Sequence, residues 1–216
     1  MAQNNKGLFI TVEGIEGVGK TTNIEFINRF LKQQGISVTL TREPGGTEIA
    51  EQIRYLLLSH HNEPLTEDAE LLLVFAARAQ HLNRLIKPAL ARGDCVLCDR
   101  FTDATYAYQG AGRKLSMPRI AQLEQWVQGD LRPDVTLLLD VPVELGLSRV
   151  EQRGAPDRFE SEKSAFFERI RQNYLERAKL EPKRIFIVDA SQTLEKVQES
   201  IVVILNQILS PDKVNR

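Results

Sequence analysis

The stretch Gly14-Ile15-Glu16-Gly17-Val18-Gly19-Lys20-Thr21, followed by Thr22, constrains this chain more than any other, because the apolar run 8–12 delivers it and a helix-compatible segment follows. It reads G-x-x-x-x-G-K-[ST] between a strand and a helix. Glycines let successive backbone N–H groups turn inward around phosphate oxygens, and the helix N-terminus adds partial positive charge. Lys20 reaches the outer phosphates and the Thr21 hydroxyl is a ligand for Mg²⁺. A nucleoside triphosphate is therefore expected along residues 14–22.

Five short apolar runs, 8–13, 37–41, 95–99, 135–140 and 184–189, alternate with helical patterns at about 20–34, 47–59, 66–91, 117–129, 142–152, 161–180 and 192–209. Each run is continuously apolar, as a strand covered on both faces must be. The pattern predicts an α/β fold with a five-stranded parallel sheet flanked by helices. Ser116 with Pro118, and Ser161, are candidate helix starts; Gly35 and Gly129 are candidate stops. In such a sheet ligands bind beyond the carboxyl ends of the strands. The residues just after each run are the ones to examine.

A length of 216 residues fits one domain, with a lid segment at about 148–160. Lys and Arg total 28 against 29 Asp and Glu, a net charge of −1, which leaves no electrostatic footprint for nucleic acid or an anionic membrane. Residues 1–7 lack the apolar core of a signal peptide, and no run approaches the roughly 18 apolar residues of a spanning helix. A cytoplasmic protein is expected. Cys95 and Cys98 form a C-x-x-C inside an apolar run, without a second pair, so strand packing outweighs a redox or zinc site.

Asp99-Arg100 ends the third run. An acidic residue there is the usual second partner of the metal, and Arg100 is a fork-shaped donor for phosphate; a plain surface ion pair is the alternative. The second run leads into Arg42-Glu43-Pro44-Gly45-Gly46-Thr47, whose preset turn would hold Arg42 over the same crevice. Phe75 and Arg78, three apart, share a helical face. Either a base stacks on Phe75 with a carbonyl toward Arg78, or Arg78 pairs with a carboxylate inside the fold. Thr105, Tyr108 and Gln109 lie in a polar and aromatic stretch, 102–113, that reads as a loop. A side-chain amide there matches the N3–H and carbonyl edge of a pyrimidine. Arg149, Arg153 and Arg158 surround a Gly/Pro break between two helices. They form either a solvated face or a closing flap that brings an Arg to the transferred group, which the phosphate loop itself lacks.

No Asn-Lys-x-Asp follows a strand, against a guanine-reading switch, and a motor would show a basic face or further domains. Phosphoryl transfer to a small acceptor fits better. A phosphate acceptor is already nucleophilic near pH 7 and requires no base, whereas a sugar hydroxyl would require Asp99 or Glu43 to take its proton. Two Arg at strand ends favour the phosphate.

Residues 9–14 leading into the phosphate loop, 41–47, Phe75-Ala76-Ala77-Arg78-Ala79-Gln80, Asp99-Arg100 and Tyr108-Gln109-Gly110 together resemble the thymidylate kinase family, in that family's order. The resemblance implies the nucleoside monophosphate kinase variety of the P-loop fold, transfer from ATP to dTMP with Mg²⁺, and a homodimer. It implies that Phe75 stacks on thymine, Arg78 meets its O4, Thr105 and Gln109 line the base, and Tyr108 lies under the sugar. Arg42 and Arg100 would hold the monophosphate, with Glu16 near the 3′-OH; Lys20, Thr21 and Asp99 would serve the ATP phosphates and the metal. The catalytic Arg is expected in the flap: Arg153 first, then Arg149 and Arg158. Ala104 and Tyr106 depart from the family's pattern, which bears on the base contacts. Another deoxynucleoside or nucleotide kinase, and a non-catalytic P-loop switch or ATPase, are the alternatives.

Overall fold

The computed structural model describes residues 7–152 and 157–209. Arg153 therefore lies outside the described residues. Strands form at Phe9–Glu13 (β1), Val38–Arg42 (β2), Cys95–Asp99 (β3), Val135–Asp140 (β4) and Ile185–Asp189 (β5). They pair in parallel in the order β2-β3-β1-β4-β5. From β1 the chain passes to the edge strand β2, fills the gap with β3, and then adds β4 and β5 on the other side of β1, which opens a crevice at the carboxyl end of β1. The continuous apolar runs are explained: β1 is buried at every position and β4 at all but its last.

Helices lie at Lys20–Gln33 (α1), Glu48–Leu58 (α2), Glu67–His81 (α3), Lys87–Ala91 (α4), Thr102–Thr105 (α5), Met117–Gln128 (α6), Val143–Glu151 (α7), Ser164–Leu180 (α8) and Leu194–Leu209 (α9). The main core packs α1, α8 and α9 on one face of the sheet, with Ile27, Leu31, Phe167, Ile170, Ile201 and Leu205 fully buried. A smaller cluster, including Phe9, Leu82, Ile86, Val96 and Phe101, fills the other face. Cys95 and Cys98 are free and buried, and burial pushes the Cys95 thiol up to about 12, so these are packing residues as expected.

Three helix predictions need correction. The single helix expected over 66–91 is interrupted by a wider π turn at Leu82–Ile86. Pro88, in the first turn of α4, lacks the N–H that an unbroken helix needs and its ring crowds the preceding turn. The expected loop over 102–113 is helical, α5 running into a π turn at Tyr106–Gly112. Ser161 does not start a helix; it closes a turn on Asp157, whose carboxylate accepts the N–H groups of Phe159 and Glu160, and α8 begins at Ser164.

Helix α7 meets the phosphate loop without an intervening side chain. A Cβ on Gly17, whose φ is +74°, would sit 2.0 Å from the Gly146 carbonyl oxygen, and one on Gly146 would sit 2.7 Å from the Glu16 carbonyl oxygen. Neither distance admits a methyl group. Alanine in a helix is intrinsically better than glycine by about 1 kcal/mol. We nonetheless expect Gly146→Ala to lose about 1–3 kcal/mol through overpacking, measured by thermal unfolding. A raised Tm would show that this contact is slack.

Candidate active site

The phosphate loop is anchored by Ile15 and Val18, both buried, so that its backbone rather than its side chains faces outward. Gly19, at φ +85°, turns the chain into α1, whose first turn carries no side-chain cap. Its N–H groups remain for an anion. Lys20 folds back to donate to the carbonyl oxygens of Ile15 at 2.9 Å and Gly14 at 3.3 Å. Withdrawal from solvent, and then the Arg100 charge, lower its pKa to about 8. Thr21 and Thr22 are exposed on the same turn.

Arg100 stands at the junction with a second cavity. Its backbone takes φ +66°, costly for a residue with a Cβ, and its N–H is held by the Val12 carbonyl at 3.0 Å. The guanidinium donates to Gly14 O at 2.7 Å, to Glu16 at 2.8 Å and to the Tyr174 hydroxyl at 3.3 Å. Lys20 and Arg100 thus converge on one carbonyl oxygen. Burial opposes the Arg100 charge, but Tyr108, Glu16, Tyr174 and Asp99 outweigh it and hold its pKa well above the usual value. Tyr108 donates to Glu16 at 2.5 Å and lies under the guanidinium, 4.7 Å from its carbon. Behind them, Glu13 accepts from the Tyr174 hydroxyl and the Phe101 N–H, both at 2.7 Å. Burial and then the Asp103 charge raise Glu13 to about 7.

The second cavity, about 110 Å³, is lined by Glu16, Arg54, Val74, Arg78, Arg100, Phe101, Ala104, Thr105, Tyr108, Gln109 and Phe159 among others. Glu16, Arg78, Arg100, Thr105, Tyr108 and Gln109 are brought together as expected. The internal-pair alternative for Arg78 is realised. It pairs inside the fold with Glu43 at 2.7 Å and donates to Thr105 at 2.9 Å, yet it lines the cavity and its Nη1 is buried without a hydrogen-bond partner among the described residues. His81 buttresses the pair, meeting Glu43 at 3.0 Å and sharing a 2.7 Å hydrogen bond with Thr41.

Four expectations are placed differently. Phe75 does not line the cavity; it is buried with Leu71 and Ile120, and Arg78 lies over its ring at 4.9 Å. The lining position is Val74, four residues before Arg78 and one turn of α3 away from it. Phe101 and Phe159 are the aromatic walls that pattern did not reveal. Arg42 also stays outside: strand alternation buries Thr41 and turns Arg42 outward, 53% exposed, onto Glu51 at 2.8 Å. Arg54, which donates to the Pro44 carbonyl at 3.0 Å, lines the cavity in its place. Arg158 does not line it either, being held by the Leu57 carbonyl at 2.8 Å and by Glu70 at 2.7 Å. Of the flap arginines, Arg149 reaches the phosphate loop, 3.3 Å from Gly17 O. Tyr106 faces away, bonded to Glu124 at 2.6 Å with Arg177 over its ring at 4.1 Å.

Thr21 and Asp99 line one groove beside the phosphate loop, and Asp99 Oδ1 is buried with no hydrogen-bond partner among the described residues. A divalent cation there would complete that oxygen's coordination. These residues fit one.

A phosphate loop and a polar, ring-sized cavity joined at the first strand's end define a phosphoryl-transfer enzyme of the nucleoside monophosphate kinase type. The family model for thymidylate kinase matches residues 12–201. Thymidylate kinases of Pseudomonas syringae pv. syringae and Ectopseudomonas mendocina are 62% and 61% identical over 203 residues, 94% of this chain and 97% of each relative. The crystal structure of thymidylate kinase from Ehrlichia chaffeensis superposes with a TM-score of 0.75 at 34% identity, covering 93% of this chain and 98% of that one. The chain belongs to the thymidylate kinase family.

A triphosphate tail favours the charged form of Lys20. Its ammonium is in place below about pH 8; as pH rises further, binding must take up a proton and weakens. We expect calorimetric ATP affinity to fall between about pH 8 and 9.5 in the wild type and to stay level in Lys20→Arg, whose charge does not titrate there. A level wild-type profile would refute the lowered pKa.

Proposed function

We propose that the chain transfers the terminal phosphoryl group of ATP to the 5′-phosphate of dTMP, giving ADP and dTDP. One observation carries this: Lys20 of the phosphate loop and Arg100 of the second cavity donate to the same Gly14 carbonyl, so donor and acceptor phosphates would meet across a single crevice. The acceptor phosphate, largely dianionic near pH 7, attacks in line without a base. Glu16, in the loop yet facing the cavity, contacts the sugar hydroxyl. Arg100 and Arg54 hold the acceptor phosphate. Tyr108 packs under the deoxyribose, and Thr105, Gln109 and the spare Nη1 of Arg78 address the base between Phe101 and Phe159. Thr21 and Asp99 hold Mg²⁺, which would neutralise charge on the ATP phosphates. Residues 148–160 act as the lid, with Arg153 and Arg149 candidates for the transition-state charge.

A homodimer joined through α3 and α6 is part of the proposal. Trp126, 82% exposed, and Leu72, 57% exposed, flank a groove shared by these helices. A cytoplasmic setting accords with the two free thiols. No helix among the described residues is long and apolar enough to cross a membrane.

An ADP-release assay across dTMP, dUMP, dCMP, dGMP and thymidine tests the reaction. We expect turnover with dTMP, none in EDTA, and an Arg78→Ala variant whose KM for dTMP rises roughly 10-fold or more while that for ATP holds, as loss of a buried donor to the base demands. Turnover of thymidine but not dTMP, or hydrolysis indifferent to acceptor, would overturn it. Light scattering should give twice the chain mass for the wild type and a shift toward monomer for Trp126→Glu; a monomeric wild type would exclude the dimer.

A further inference from the structure

Helix α3 presents Glu70, Val74 and Arg78 on one line, each four residues apart, and the latter two line the base cavity. Glu70 is 1% exposed, and no part of the proposed reaction uses it. Burying a carboxylate is costly unless donors converge on it. Three do. Gln109 donates its side-chain N–H₂ at 2.8 Å, Arg113 Nε lies 3.3 Å away, and the Arg158 guanidinium makes a charge contact at 2.7 Å off its N–H directions. Arg113 also meets Glu162 and packs 4.8 Å over Phe166, so the cage is itself held from α8.

The geometry points to Glu70 as a positioning residue that sets which pyrimidines the enzyme accepts, by fixing the rotation of the Gln109 amide. A glutamine amide has two orientations related by a half-turn, one presenting an acceptor and one a donor. An ionised carboxylate only accepts, so the Gln109 nitrogen is committed to Glu70 and its carbonyl oxygen is left for the cavity it lines. That oxygen accepts from the N3–H of thymine or uracil and repels the N3 lone pair of cytosine. Arg78 Nη1, a donor without a partner among the described residues, adds the matching preference for a 4-oxo over a 4-amino group. With the carboxylate removed, the amide is free to turn and serve either base.

This inference rests on the dTMP kinase reading. The test compares kcat/KM for dTMP and dCMP in the wild type and in Glu70→Gln, whose shape is the same but whose amide both donates and accepts. We expect the dTMP/dCMP ratio to fall roughly 10-fold or more, with KM for ATP within about twofold, since a site built around a hydrogen bond loses discrimination when that bond can reverse. On a Gln109→Ala background, Glu70→Gln should leave the ratio unchanged. If Glu70→Gln does not fold, Glu70→Asp, which keeps the charge but falls one methylene short of Gln109, should lower the ratio by about threefold or more. An unchanged ratio in the folded variant, or a further fall on the Gln109→Ala background, would overturn the proposal. A wild type inactive on dTMP would instead remove the reading beneath it.

Discussion

The hold of Arg100 on the loop after β1 is the interaction on which the rest of this site depends. One guanidinium bonds the Gly14 carbonyl, the Glu16 carboxylate and the Tyr174 hydroxyl, joining β3, the phosphate loop and α8. The left-handed backbone that aims it there costs free energy, which the surrounding bonds offset. Glu13 and Tyr174 back this arrangement from within the core, and the pKa of Glu13 near 7 reflects burial beside Asp103. Asp103 in turn is gripped by Arg177 and Arg184, so a chain of charges runs from the far side of α8 to the phosphate loop.

A second buried cluster organises the Arg78 end of the cavity. Glu43, just beyond β2, takes Arg78 on one oxygen and His81 on the other, and both donors come from α3 one turn apart. Breaking such a set leaves an uncompensated charge inside the protein, which is far costlier than never burying it. The loop 43–47 and α3 are therefore fixed to each other before any ligand arrives. Preorganisation of this kind lowers the ordering cost of binding.

The central strands β1, β3 and β4 are legible because strands covered on both faces must be continuously apolar, whereas the edge strands β2 and β5 are partly exposed; the strand boundaries differ by no more than a residue, 37–41 against Val38–Arg42, while 95–99 and 135–140 stand. The phosphate loop was legible because its glycines and lysine serve backbone geometry directly. Side-chain direction was not. Val74 and Phe75 are adjacent apolar residues of one helix, and the sequence does not distinguish which of them lines the cavity; Arg54 reads as an ordinary helical surface charge, whereas Arg42 stands at a strand end. Helix 102–112 was hidden by Gly110 and Gly112, which read as breakers but give room for Met117 and Phe166. Glu70 looked like an ordinary acidic residue in a helix's first turn. Only its position opposite Gln109, Arg113 and Arg158, distant in sequence, distinguishes it.

The backbone-to-backbone seat of Gly146 against Gly17 has a mechanical consequence. Where side chains separate two elements, rotamer changes absorb small displacements; here there is nothing to rotate. Any tightening of the loop around a triphosphate must travel undamped into α7, and so toward the residues that follow it. Donor occupancy would then be communicated to the proposed cover of the active site by rigid contact rather than through a relay of side chains.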